Sequence, residues 1–291
     1  MRSLRRALKI SNSDIIITIA FDFQNLPRLD QYDPTHMSRN PKMPNVSANY
    51  GPEVQKIPAY TPIEDIIYLL KRDGGVFLKQ LIPVADVDQA WEECRERLEN
   101  DVEWNGSFFP KQTQRASALL ALSPTYAKTQ VMNSVYQQDD ERDKNRESAV
   151  GLFVAGSKVT KENRGTQFIP RSRLWGTNRD VPPRVEDCIY AEVEKGDAFI
   201  MLASAYHAGG HNTTKDKKRL VFATFVTRGY LRQEENQFLP VPQEIAKQYD
   251  QPIQEFMGYT ISKPACKYVN QLDPIFVLRP ELKGDDRPTD F

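Results

Sequence analysis

Gly196-Asp197-Ala198-Phe199-Ile200-Met201-Leu202-Ala203-Ser204-Ala205-Tyr206-His207-Ala208-Gly209-Gly210-His211-Asn212-Thr213-Thr214, followed closely by Lys218-Arg219-Leu220-Val221-Phe222, is the stretch on which the fold turns. An apolar run reaches a histidine, a Gly-Gly turn follows, and a second apolar run opens with arginine. Two strands in that order predict an imidazole and a guanidinium side by side on the inner face of an antiparallel sheet. A neutral imidazole is a good metal ligand, and the forked guanidinium is shaped for a carboxylate. The chain holds only three histidines, so His207 has few partners of its own kind.

Outward from this stretch the chain reads as short strands separated by Gly, Pro and Asn. Residues 149–155, 166–169, 189–193, 198–203 and 219–227 are the expected strands. Their close spacing argues for an antiparallel sandwich or jelly roll rather than a βαβ fold. Upstream, Thr61-Pro62-Ile63-Glu64 has the capping-box pattern, and Ile63, Ile66, Ile67 and Leu70 mark one helical face ended by Asp73-Gly74-Gly75. A short strand over 76–81 and a second amphipathic helix over 83–99, carrying Val87, Trp91, Cys94 and Leu98, follow. Late helical pieces are expected over 241–249 and 253–257.

The fold class expected is therefore mainly β, a jelly roll with flanking N-terminal and C-terminal helices. Three parts are expected: an irregular extension over 1–58, the core domain over 59–274, and a tail over 275–291. Arg2, Arg5, Arg6 and Lys9 ahead of an apolar run loosely imitate a targeting segment, but Asp14 and Asp22 bracket that run and no small-residue cleavage site follows. A cytoplasmic protein is the expectation.

Lys plus Arg equals Asp plus Glu at 39 each, which disfavours nucleic acid or anionic lipid as partners. Cys94, Cys188 and Cys266 are scattered without metal-type spacing and fit partly buried thiols in a reducing compartment. No run approaches the roughly 18 apolar residues of a membrane span.

Several runs together resemble the phytanoyl-CoA dioxygenase family, and within it the fungal branch acting on terpenoid-type secondary metabolites. They are Lys71-Arg72-Asp73-Gly74-Gly75-Val76, Ser123-Pro124-Thr125-Tyr126, Val150-Gly151-Leu152-Phe153-Val154-Ala155-Gly156 and Thr160-Lys161-Glu162-Asn163. Thr166-Gln167-Phe168-Ile169-Pro170, Ser172-Arg173-Leu174-Trp175, the His207 block and Gly229-Tyr230-Leu231-Arg232-Gln233-Glu234-Glu235-Asn236 continue the series in order. The resemblance implies a double-stranded β-helix using Fe(II), 2-oxoglutarate and oxygen on an apolar, terpenoid-type small molecule. It also implies His207 as an iron ligand, Arg219 as the clamp for the far carboxylate of 2-oxoglutarate, and Thr166 as an aid to co-substrate binding.

Departures from the family pattern carry as much weight. The family places His-x-Asp well before the Gly151 block, whereas this chain has no histidine between His36 and His207. The run Met132-Asn133-Ser134-Val135-Tyr136-Gln137 matches a family helix that should stand several tens of residues before Gly151, yet only residues 138–150 intervene. A segment bearing two of three iron ligands is expected to be missing, leaving the jelly roll short of one or more strands. The family's Pro-Gly-Ser-His-Leu-Trp reads here Pro170-Arg171-Ser172-Arg173-Leu174-Trp175, with Arg173 expected to bring a charge to the barrel mouth.

Activity of the isolated chain is thus expected to be weak or absent. The alternatives are a non-catalytic subunit paired with an intact homologue, a homodimer, a truncated gene product, or a rewired site in which Asp139, Asp140 or His211 joins His207. Trp175 and Tyr206 are candidates for pocket lining or core, and Glu234 and Glu235 for fixing a helix entry or pairing with Arg232 in the solvated rim rather than for an acid/base pair.

Overall fold

Alternating apolar residues build a seven-stranded sheet with helices packed on one face and a short sheet on the other. In a computed structural model of the chain, the described residues are 14–23, 53–101, 113–131, 147–175, 183–229, 231–233, 235–262 and 266–284. The larger sheet runs β2-β3-β8-β5-β10-β1-β4, formed by Lys56–Pro58, Gly75–Lys79, Ala198–Leu202, Ala149–Ala155, Arg219–Arg228, Asp14–Phe23 and Gln114–Ala116 in that spatial order. The pairs β3/β8, β8/β5 and β5/β10 are antiparallel. A second sheet, β7-β6-β9, comprises Ile189–Tyr190, Gln167–Phe168 and His207–Ala208.

Period-two alternation decides which side each residue serves. Val76 and Leu78, Val150 and Leu152, Ala198 and Ile200, and Leu220 and Phe222 face a helical layer containing Leu69, Leu70, Val87 and Leu98. Their alternates Phe77, Ala155, Phe199 and Met201 face the small sheet and pack with Phe168, Ala191 and Ala205. The architecture is helices on one face and a short sheet on the other, a mainly β sandwich with flanking helices.

Helix α1 spans Ile63–Asp73 and α2 spans Val84–Glu99, close to expectation. The capping box is not made, because the Thr61 hydroxyl donates to the Pro58 carbonyl at 2.7 Å and Pro62 itself stands at the cap. Gly74, at φ +80°, stops α1 in the left-handed region and returns its N–H to Leu70 at 2.8 Å.

Three expectations need correction. Residues 14–23, placed in an irregular extension, form the ten-residue strand β1, paired along its length with β10. Residues 198–203 and 219–227 are strands but not neighbours, since β5 lies between them. The reason is that the chain leaves β8 at Leu202, crosses to the small sheet as β9, and returns only at Arg219. The first late helix is shorter than expected, Gln243–Ala246, the second begins two residues early, Gln251–Phe256, and Ile275–Leu278, at the start of the expected tail, is a helix with Ile275 and Leu278 buried.

Candidate functional site

His207 stands opposite Phe168 in the small sheet and is exposed. Its Nδ1 lies 2.8 Å from the Ala205 carbonyl, which can only accept, so Nδ1 donates there and Nε2 is the ring nitrogen left to face another partner. One exposed nitrogen of one histidine is what this strand offers a metal.

Arg219 opens β10 and is 4% exposed. It shares a face with Val221, toward the small sheet, so the expected inner placement holds for the guanidinium and fails for the exposed imidazole. Nη1 donates to the Asn163 carbonyl at 3.0 Å and Nη2 to the Gly210 carbonyl at 2.9 Å. The buried Asn163 side chain accepts from the Thr160 amide at 2.8 Å and donates to the Lys158 carbonyl at 2.9 Å, which shapes the turn that presents its own carbonyl to Arg219. Gly210 is needed here because a Cβ would come within 2.7 Å of Arg164 Cβ. The Gly-rich turn thus lets two loops touch, and Arg219 ties them together.

Thr166 is half-buried just ahead of β6, and its carbonyl accepts from the Ala191 amide at 2.8 Å. His211 is exposed. Asp139 and Asp140 lie outside the described residues, as does Glu234.

Arg171 and Arg173 were expected to perturb the turn and charge the barrel mouth; the geometry revises both. Arg171 adopts φ +62°, a conformation suited to glycine. It is held by its amide on the Asp73 carbonyl at 2.7 Å and by an ion pair to Asp73 at 3.2 Å. Asp73 is fully buried and also pairs with Arg72 at 2.6 Å. Arg173 is buried, not at an open mouth: its Nε and Nη2 donate to the Lys71 carbonyl and Nη1 lies 3.5 Å from Glu147. The Glu147 carboxylate is buried too, which explains why this arginine can be. Ser172 Oγ accepts from the Tyr206 amide at 2.7 Å, fastening this segment to the His207 strand. Sequence reasoning had no signal for this polar cluster, since the partners that tie its segments together lie 26 to 102 residues apart in the chain.

The space between the sheets holds phenylalanine rings. Phe77 stacks on Phe199 at 4.7 Å between centroids, Phe168 meets Phe199 edge-on at 5.2 Å, and Phe153 meets Phe225 edge-on at 5.4 Å. Phe168 and Phe199 are buried, whereas Phe153 and Val221 pack against that cluster half-buried and Phe225 is half-buried too. Trp175 and Tyr206 sit 5.6 Å apart beside His207, with Tyr206 exposed. Glu235, named for helix entry, accepts from the amide of Ala118, the residue that caps Leu119–Leu122, at 2.7 Å. Burial raises its carboxyl above the ordinary range despite that bond.

Cys94 is buried, with its thiol pushed up to about 12 by burial, Cys188 is intermediate and Cys266 is exposed; all three are free. Only Cys188 matches the partly buried thiol expected. Among the described residues no helix is long and apolar enough to cross a membrane.

Fitted against an iron centre, the donors grouped among the described residues fall short of three. Among the described residues no group of three or more His, Cys, Asp or Glu side chains could hold a metal ion. His207 alone cannot supply the multidentate face that iron affinity requires.

Residues 128–220 match the family described as phytanoyl-CoA dioxygenase (PhyH), so the resemblance drawn from the residues holds. The chain is 29% identical over 293 residues to "Dioxygenase swnH1" of Arthroderma benhamiae, covering 79% of this chain and 94% of that protein. It is 36% identical over 139 residues to "Dioxygenase peniF" of Penicillium patulum, covering 48% of this chain and 44% of that one. Among solved structures it is similar to the non-heme alpha ketoglutarate dependent carbocyclase SnoK from nogalamycin biosynthesis, with 14% identity, a TM-score of 0.41, and coverage of 57% of this chain and 83% of that one.

Proposed function

We propose that this chain, which carries the phytanoyl-CoA dioxygenase match, is an Fe(II)/2-oxoglutarate dioxygenase homologue of fungal secondary metabolism that is weakly active or inactive on its own. The observation that carries this reading is the solitary His207: one exposed imidazole, with no metal-holding group of three around it among the described residues. Arg219 points the same way, because two of its donors already serve the Asn163 and Gly210 carbonyls instead of being poised for a co-substrate carboxylate. Thr166 and Arg219 remain the co-substrate contacts that the family pattern assigns.

A missing segment before Ala149 accounts for the lost ligands, and alignment lengths support it. The alignment to the Arthroderma protein runs over 293 positions, but 79% of 291 residues is about 230, so about 60 positions face nothing in this chain. The shorter Penicillium alignment covers 48% of the chain, about 140 residues, for 139 positions and needs no such gap.

Anaerobic Fe(II) calorimetry with and without 2-oxoglutarate, coupled to succinate measurement, tests the reading. Weak, unsaturable iron binding without succinate is expected; tight one-to-one binding with succinate release would overturn it.

A second reading is a non-catalytic subunit that completes its sandwich against an intact homologue. The half-exposed Phe153, Val221 and Phe225 favour it, since an uncovered inner face is what lost strands leave behind. Co-expression with an intact homologue, followed by co-purification at a fixed stoichiometry, is its expected outcome. A continuous transcript encoding extra residues next to Gln137 would instead assign the gap to the gene structure.

A further inference from the structure

Strand β1 sits where local chain order would place something else. In the larger sheet β4 and β5 are separated by two strand positions, yet in sequence only the short helical stretch after β4 and the residues up to Ala149 lie between them. Successive elements usually pack beside one another, so a strand supplied between Val131 and Ala149 would be expected between β4 and β10. That position is held by Asp14–Phe23, brought from the N-terminus.

Its pairing differs from that of the central strands. β3, β8, β5 and β10 alternate direction, whereas β1 runs parallel to both β10 and β4. The register is complete over ten residues, from Asp14 opposite Arg219 to Phe23 opposite Arg228. Acidic residues fall at both basic ends: Asp14 aligns with Arg219, and Asp22 lies one step from the Arg228 position. Between them Ile15-Ile16-Ile17-Thr18-Ile19 is β-branched throughout, a composition suited to a pleated interior.

The need for such a strand is set by β10. Leu220, Phe222, Ala223, Thr224, Val226, Thr227 and Arg228 are buried, so β10 is a central strand whose second edge cannot be left to solvent. β5 satisfies only one edge, over Val221–Thr227.

We propose that Asp14–Phe23 is a substitute strand: it fills the place between β4 and β10 that a segment missing before Ala149 would occupy, and the two exclude each other. This rests on the reading that a segment is missing. The N-terminus then has a structural task in this chain, completing the sheet, that a longer homologue would meet from within its own core.

The test uses the full chain. Hydrogen exchange by mass spectrometry should find β1 and β10 amides protected together, by about 100-fold or more over an unstructured peptide. In an otherwise unaltered chain, Asp22→Cys with Thr227→Cys should form a disulfide, because these positions are register partners. A second chain, with the roughly 60 extra positions of the Arthroderma protein inserted between Gln137 and Ala149, should release β1 to fast exchange, keep β10 protected, and lose the crosslink.

Fast exchange of β1 in the unaltered chain, or absence of the crosslink there, overturns the proposal even if the insertion chain does not fold. Unchanged β1 protection and crosslinking in a folded insertion chain also overturns it. Fe(II) binding by the insertion chain judges the missing-segment reading separately: release of β1 without iron binding would sink that reading and leave the displacement of the strand standing.

Discussion

The two faces of the larger sheet have had different fates. On the helical side Phe222, Leu152 and Ile200 meet α1 and α2 in a closed core, and Tyr126 reaches through to Thr224 with a buried hydroxyl contact of 2.5 Å. On the other side the described elements are three strands of two residues each, and Phe153, Val221 and Phe225 stay half-buried. The helical side is closed by long elements and the other side by short ones.

The largest expected effect separates these faces directly. Phe222→Ala, on the helical side, should destabilise by about 3–5 kcal/mol, whereas Phe225→Ala, three residues on and facing the thin sheet, should cost about 1 kcal/mol. Urea denaturation of both variants checks this, and equal losses would break the comparison.

Arg219→Met comes next, at about 2–4 kcal/mol, because the buried Asn163 carbonyl and the half-buried Gly210 carbonyl lose their donors. An arginine held ready for a co-substrate, with no structural task, would give a loss under about 1 kcal/mol. Thermal melts without ligand distinguish the two.

A smaller effect concerns pH. Burial lowers the Lys267 ammonium to about 8 from its ordinary value of 10.5. Between those values the unfolded chain still holds a proton that the folded chain has released, so this group makes stability rise with pH across that window. Lys267→Met should flatten the rise in urea midpoints measured from pH 8 to 10; an unchanged slope would place the lysine in water.

The smallest change is expected at His207→Ala. An exposed side chain with one backbone contact should matter to stability by no more than about 0.5 kcal/mol. A larger loss in the melt would mean that the imidazole holds the small sheet together.

Local pattern made much of the fold legible. The run 149–155 is β5 to the residue, 219–227 falls one short of β10, and the helices start at Ile63 and Val84, one residue after the prolines expected to open them. Pairing was not legible: period-two alternation marks a strand but not its neighbour, so β5 between β8 and β10, and β1 beside β10, came only with coordinates. At the site, His207 and Arg219 were visible by residue type, whereas the Asp73–Arg171 and Glu147–Arg173 pairs were not, because charges distant in sequence give no periodic signal. The departure at Arg171 was legible as a lost glycine, but its compensation by Asp73 was not.

Iron affinity tests the central claim most directly. Anaerobic titration of the full chain with Fe(II) in the presence of 2-oxoglutarate should show no saturable one-to-one binding at tens of micromolar or below, a range set by the loss of a multidentate site. Stoichiometric binding at about 1 micromolar or tighter, abolished by His207→Ala, would contradict it.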